Sequence, residues 1–582
     1  MQHGISGTKT NTLLTTTPIT MSENSQQPPK ASRSALAYGT SFLILIQVVS
    51  RLLTFASNQL VLRHLSPEIL GVATHLELYY ITVLYFSREC VRAAIQREPI
   101  SNNSANVDKH NTDKTVAAEK ADSKHAQDDG TSSQTVVNMS YIAIALGLPL
   151  SGLLAFFYQS WATKEVLSTP YFQESLRIVS LSCMVELTTE PFFAVVQQRM
   201  LYKERAIVET TAAFARSIAT CAISIWAARG GWYAGVLPFA MGYIAYAVAL
   251  ICGYSWQMAA TSTKHNYSFW LKPIRSRNAA EYIANRFSRT LLWLGANLYL
   301  QLIVKHFLTQ GDSMILATFS ALEDQGIYSF ASNYGGLVAR MVFQPIEESS
   351  RNLWSKQLNT ADKDKNEHRA QIEGARSHFT AILRAYSILA VLALGIGPDV
   401  VPIGLKTVMG SRWISEKVHR LLSAYCCYIP FLAFNGITEA FVSAAVSPAD
   451  MRRQAAWMTV FTFCFGVASF LLLTVANLGA LGLVLANIIN MSVRTMWSLS
   501  YIQGYLRQNG SELKVTDFSP NLQTLSVLAL TASRKLFDYR PLGDGLYGIL
   551  ATVGFAAMYG LVILFLERDY IIGQYKKHVR GR

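Results

Sequence analysis

Between Gly326 and Ser349 the chain reads GIYSFASNYGGLVARMVFQPIEES, an apolar, bilayer-length stretch that still carries Arg340, Glu347 and Glu348 around Pro345. An ionised side chain near the middle of a membrane helix costs roughly 2.5 to 3.5 kcal/mol on insertion scales, so such residues are kept where they face a bundle interior or a wet cavity. Arg340 and Glu347 are seven residues apart, two helical turns, and project from one face. Pro345 removes a backbone hydrogen bond between them and favours a kink, which a membrane helix tolerates where the freed carbonyl meets protein or water. A second charged run, YFSRECVRA at 85–93, places Arg88 and Arg92 one turn apart with Glu89 between them. Charge of this kind inside spans belongs to the interior of a transporter.

The elements that must hold these residues are membrane helices. Hydrophobic residues make up 51% of the 582, charged residues only 15%, and the mean hydropathy is +0.23, which excludes an ordinary soluble enzyme. Stretches of about 20 apolar residues occur near 36–62, 69–95, 135–158, 173–197, 207–229 and 232–256. A second set of six lies near 284–308, 326–350, 378–400, 419–447, 455–476 and 479–505, followed by two more near 520–537 and 544–566. The expectation is an all-α polytopic protein of about fourteen spans, with two pseudo-symmetric six-helix lobes at 35–256 and 284–505 and two extra spans within 506–566.

Around the spans, residues 1–34 read as a disordered tail, 100–134 as a disordered polar insertion in the first lobe, 257–283 as an inter-lobe linker and 567–582 as a basic C-terminal segment. With the N-terminus cytosolic, about 34 Lys and Arg fall on the cytosolic side and about nine on the other. The positive-inside pattern therefore accounts for the net charge of +14 and leaves no need for a nucleic-acid partner. Both termini are expected in the cytosol. None of the N-x-S sites at Asn102, Asn138, Asn266, Asn490 and Asn509 is then displayed clear of the luminal surface. All seven cysteines lie in or beside apolar spans, which suits buried thiols, and no spacing suggests a metal or a cofactor.

Catalysis is hard to place on this pattern. No phosphate-loop motif and no soluble domain large enough to hold one is present, which argues against direct ATP-driven transport. Glu347 and Glu348 are adjacent, diverge by about 100° on a helix, and cannot flank one glycosidic bond. Internal symmetry points instead to two bundles that rock about a central site. The second and eighth spans both start near a glycine, Gly71 and Gly326, and both end in a charged cluster before a polar loop. By that argument they face one another across a cavity.

Three stretches carry a family resemblance: SRLLTFASNQLVLRHLSPEILGV at 50–72, YFSRECVRA at 85–93, and EDQGIY with GGLVARMVFQPIEES across 323–349. Together they resemble the eukaryotic Rft protein family of the endoplasmic reticulum, in order and pattern, over most of the chain outside the tail and the 100–134 insertion. That family belongs to the multidrug, oligosaccharidyl-lipid and polysaccharide exporter superfamily, which includes the bacterial lipid II flippase and the MATE antiporters. The resemblance implies a non-enzymatic role in N-glycosylation: flipping a dolichyl-pyrophosphate oligosaccharide of five mannoses and two N-acetylglucosamines from the cytosolic to the luminal face. It leaves open an accessory role, in which the protein chaperones the same lipid or binds glycosylation enzymes. Besides that ligand, the expected surroundings are endoplasmic reticulum membrane lipids.

Arginine suits such a diphosphate, because its planar fork meets phosphate oxygens in pairs and keeps its charge in apolar settings. The candidates are Arg51, Arg88, Arg92 and Arg340, with Arg63 at the luminal end of the first span placed to receive the head group after crossing. Each has a plainer alternative, since helix-end arginines snorkel to the interface. Glu89, Glu347 and Glu348 are candidates to pair with these arginines in a lock between lobes that the ligand would open; a permanent packing salt bridge is the alternative. Glu186 and Glu190, one turn apart, form a second set with Lys305. Tyr79, Tyr80, Tyr85 and Phe86 suit either stacking on sugars or bundle packing.

Overall fold

The computed structural model describes residues 59, 61–63, 65–96, 116–264, 267–274, 282–358, 365–408, 413–446, 448–537 and 545–580, with side chains in the helix that begins at Val116 described from 131 onward. The first expected span, including Arg51, lies almost wholly outside them. The described chain is helical almost throughout. The helices of the first half are α1 (Pro67–Ile95), α2 (Val116–Trp161), α3 (Lys164–Leu167), α4 (Phe172–Leu187), α5 (Glu190–Gln198), α6 (Tyr202–Gly230) and α7 (Leu237–Lys264). The second half comprises α8 (Arg289–Phe319), α9 (Leu322–Val338), α10 (Gln344–Leu358), α11 (Lys365–Val408), α12 (Glu416–Ala445), α13 (Pro448–Phe470), α14 (Gly479–Gln508), α15 (Leu522–Phe537), α16 (Gly545–Leu566) and α17 (Arg568–Arg580).

Local chemistry sets several of these ends. Pro67 occupies the first turn of α1, where its missing N–H costs nothing, and Glu68 beside it meets the positive end of the helix dipole. Ser288 and Ser415 cap α8 and α12 by accepting from the N–H of Leu291 and Val418 at 3.4 and 3.3 Å. α6 stops at Gly231, whose φ of 67° is the left-handed conformation that glycine adopts without penalty. Ahead of Pro345 the backbone widens into a π-helical turn, Ala339–Phe343, because the proline cannot donate to the carbonyl four residues back and its ring crowds that oxygen.

Among the described residues nine helices are long and apolar enough to cross a membrane, or eleven if two bent pairs each count as one. Those pairs are α4 with α5, bent by 42°, and the two parts of α8 on either side of residue 308, bent by 54°. Nine to eleven of the fourteen expected spans are thus matched on length and composition among the described residues. The eighth expected span is α9, the π turn and the charged α10 in succession, and the thirteenth is the 16-residue α15. A second difference concerns the 100–134 insertion: from Val116 its backbone is already part of the 46-residue α2. Its polar residues include many good helix formers, and a helix once nucleated in the adjoining span propagates at little cost.

The 257–283 linker is docked rather than loose where it is described. A two-residue hairpin pairs Tyr282–Ile283 with Phe287–Ser288. The buried Asn138 of α2 donates to the carbonyls of Lys272 and Arg286 at 2.7 and 2.9 Å. Outward-facing residues on the spans include the exposed Trp256, Trp293 and Phe463, which suits a surface solvated by lipid.

Two bundles meet along α1. In the first, α6 packs on α7, α4 on α7 and α2 on α1; in the second, α12 packs on α11, α14 and α10. α8 and α9 both pack against α1 and join the bundles. The second and eighth spans do not face each other across open space at their starts. There α1 and α9 touch, with Gly71 against the Leu322 carbonyl and Gly326 against the Pro67 carbonyl, so close that a Cβ on either glycine would run into backbone. Glycine is required because only its bare Cα permits that approach.

Candidate functional site

Beyond the glycine crossing the two bundles part, and a cavity of about 580 Å³ opens between them. Its wall follows one face of α1 through Leu70, Thr74, Glu77, Tyr80 and Arg88. That is about 27 Å of helix at 1.5 Å per residue, close to the thickness of a hydrocarbon core. α6 contributes Arg216, Ser217 and Thr220, α7 contributes Tyr243 and Tyr246, and α9 contributes Ser329 and Asn333. A path this polar across an apolar bundle is wet, and water or a polar ligand satisfies its groups.

The cationic side of the cavity is organised by two glutamates from the bend between α4 and α5. Arg88 reaches Glu186 at 2.6 Å and Glu190 at 3.4 Å, and Arg92 clasps both Glu190 oxygens at 2.5 and 2.9 Å. Both carboxylates are buried, and the Tyr80 hydroxyl donates to the other oxygen of Glu186. The Arg92 guanidinium lies 3.6 Å over the Phe193 ring. The sequence reading brought Arg88 and Arg92 together correctly but gave them the wrong partners: they pair with the second set, Glu186 and Glu190, rather than with Glu347 and Glu348. Glu89 is half-buried and leaves α1 about 100° round from Arg88, so the two serve different faces.

The other candidates are dispersed. Glu347 sits with its carboxylate against Gly436 of α12, with Arg351 and Glu439 as its charged neighbours. Glu348 is exposed and accepts from Gln344 at 2.9 Å. The backbone of Arg340 lies in the π turn, its side chain is outside the description, and Arg51 is too. Arg63 is exposed in the turn before α1, and Lys305 is exposed on α8. Trp413 bridges the bundles beside Arg63, donating to the carbonyls of Leu62 and Leu65 at 2.9 and 3.2 Å. The aromatics of α1 divide: Tyr80 faces the cavity, whereas Tyr79 is buried on Ser151 and Tyr85 and Phe86 pack on the buried His306.

Two arginines were missed. Arg216 lines the cavity from the middle of α6, with its guanidinium 4.1 Å over the Tyr243 ring. Arg494 of α14 pairs with Glu439 of α12 at 2.7 Å. Both sit deep in apolar spans, so the rule that singled out Arg340 would have found them. Among the described residues no group of His, Cys, Asp or Glu is arranged to hold a metal ion. What the cavity offers is a bidentate, permanently charged donor set beside hydroxyls and aromatic faces, the chemistry for an anionic, sugar-bearing head group rather than for bond cleavage.

Comparison with known proteins agrees with this geometry. Residues 35–577 match the sequence model described as Rft protein. The Man(5)GlcNAc(2)-PP-dolichol translocation protein RFT1 of Yarrowia lipolytica is 32% identical over 530 residues, covering 86% of this chain and 75% of that one. The protein of the same name from Saccharomyces cerevisiae is 31% identical over 582 residues, covering 95% and 97%. Among solved structures the lipid II flippase MurJ, in an inward closed conformation, superposes with a TM-score of 0.56 at 13% identity, covering 91% of this chain and 99% of MurJ, a likeness of fold. The flippase-like exporter fold expected from the sequence is thus the fold observed, and by the match across 35–577 the chain belongs to the Rft protein family.

Proposed function

We propose that this protein translocates the dolichyl-diphosphate-linked oligosaccharide of five mannoses and two N-acetylglucosamines across the endoplasmic reticulum membrane, from the cytosolic to the luminal face. The head group passes through the cavity along α1 while the dolichol chain stays in apolar surroundings. The observation that carries the reading is the open polar cavity between the bundles with Arg88 and Arg216 in its wall. A polar cavity of that length suits the passage of a head group, and the relatives' names specify this lipid. Both termini are cytosolic on the positive-inside pattern. In that orientation the Gly71–Gly326 crossing closes the luminal end.

Arg340 holds, on this reading, either the ligand or a carboxylate of the facing lobe, and Arg340→Glu impairs N-glycosylation. The deciding experiment reconstitutes the purified protein in sealed liposomes with the lipid-linked oligosaccharide and scores the fraction open to an external mannosidase. Wild type raises that fraction above protein-free liposomes, and Arg216→Ala and Arg88→Ala do not. No rise with a folded wild-type protein would leave the accessory role as the better account.

A further inference from the structure

Beside the polar cavity lies a second space, about 300 Å³, lined by α9, α11 and α12. Phe330 belongs to the lining of both. On the cavity side its neighbours are Ser329 and Asn333; on the other side it faces Val401, Gly404, Leu422, Cys426 and Ile429. The ring stands at the edge the two spaces share, 4.8 Å from the Tyr334 ring and 4.6 Å from that of Trp413 by centroids.

The second space is apolar by construction. Of its two hydroxyls, that of Tyr334 donates to Gln59 at 2.5 Å, and the Tyr425 ring stands edge-on to that of Tyr328. A space lined almost wholly by apolar side chains takes an apolar guest. A cavity of about 150 Å³ admits a benzene-sized molecule, so this one has room for roughly two five-carbon units.

Resting on the translocation reading above, the geometry points to a polyisoprenoid subsite: the first isoprene units of the lipid enter the α9–α11–α12 pocket while the diphosphate stays with Arg216 on the other side of Phe330. An amphipathic ligand whose polar and apolar parts join at one bond needs two adjoining rooms of opposite character, and Phe330 is where they adjoin. Straight acyl chains share the apolar character but bring no diphosphate to the neighbouring cavity, so the proposed occupant is the isoprenoid.

The pocket can be filled from Gly404, which lines it and where an added Cβ meets no atom within 4 Å. The test measures binding of radiolabelled geranylgeranyl diphosphate and of inorganic pyrophosphate to the full chain in nanodiscs. Gly404→Phe should weaken geranylgeranyl diphosphate at least tenfold and shift pyrophosphate less than twofold, while Arg216→Gln weakens both. If Gly404→Phe changes neither while Arg216→Gln weakens both, the subsite is wrong and the translocation reading survives. If Arg216→Gln changes neither, the polar site itself fails. A wild-type measurement guards against a misfolded variant: geranylgeranyl diphosphate carrying a photoreactive diazirine should label peptides containing Val401–Leu405 and Leu422–Ile429. Labelling confined to other segments, or competed equally well by a phosphatidic acid of matching chain length, would overturn the proposal.

Discussion

Arg88 of α1 and Glu186 of α4, 98 residues apart in the chain, meet at 2.6 Å in the wall of the central cavity, with the carboxylate side chain 3% exposed. The pair stands at a polar edge, where the arginine still has access to the cavity and the glutamate does not. A ligand anion can therefore share the guanidinium without displacing its partner.

Removal of either member should be costly in a way that removal of both is not. Arg88→Ala leaves Glu186 buried and uncompensated, a loss of roughly 3 kcal/mol or more, whereas a paired apolar replacement is close to neutral. Thermal unfolding of Arg88→Ala, Glu186→Leu and the double variant should show the double near wild type and each single well below it. Translocation should fail in the double as well, separating the site's function from its packing.

Arg216 should behave differently, because its close contact is the face of Tyr243 rather than a buried carboxylate bridge. A cation–π contact contributes about 0.5 to 2 kcal/mol. Arg216→Gln should lower the melting temperature only slightly while cutting oligosaccharide translocation at least tenfold. Arg216→Lys, with a charge but no planar fork, should restore part of the rate.

Gly326→Val should pry α1 from α9. The added carbons have no space against the Pro67 carbonyl, and overpacking of this kind costs about 1–3 kcal/mol. A cysteine at Ser329, in the cavity just past the crossing, should become reactive toward a membrane-impermeant thiol reagent added from the luminal side. Gly466→Val, at a position where an added Cβ meets nothing within 4 Å, should leave that reactivity unchanged.

Glu567 ties the last spans to α11 and makes stability depend on acid. Its carboxylate accepts from the Asn521 N–H at 2.7 Å, Thr524 at 2.8 Å and Arg384 at 2.9 Å. Burial opposes its ionisation, yet these donors outweigh burial and hold it below its ordinary value of 4.5. The folded pKa is depressed, so the stabilisation is complete above the unfolded value and is lost as pH falls through the folded one. The unfolding free energy of wild type should fall between pH 5 and pH 3 more steeply than that of Glu567→Gln, which should start lower by about 1.5 to 3 kcal/mol.

Much of the architecture was legible before any coordinates. Span positions follow from runs of apolar residues, because a bilayer demands about 20 in succession, and from 67 onward each expected span corresponds to a helix or a broken helix. Arg88 and Arg92 were recognisable as partners on one helix face from their four-residue spacing. Glu186 and Glu190 were visible as a matching pair one turn apart. Their meeting with the arginines was not, because an ion pair between helices depends on how α4 and α5 bend and dock, and no local spacing encodes that. Nor did the sequence show that Arg88 and Arg92 would take these glutamates rather than Glu89, Glu347 or Glu348, since opposite charges do not reveal which bundle each will face.

The sequence by itself determined the solvent, the helices, the family and the residue types that make the interior polar, because each rests on composition or on periodicity along one helix. Only the tertiary structure decided that α1 and α9 close one end through two glycines, that Arg216 rather than Arg63 lines the cavity, and that Phe330 divides a polar room from an apolar one. Those relationships join residues tens to hundreds of positions apart. They are set by close packing between helices, where the size of one side chain determines what its neighbour can touch.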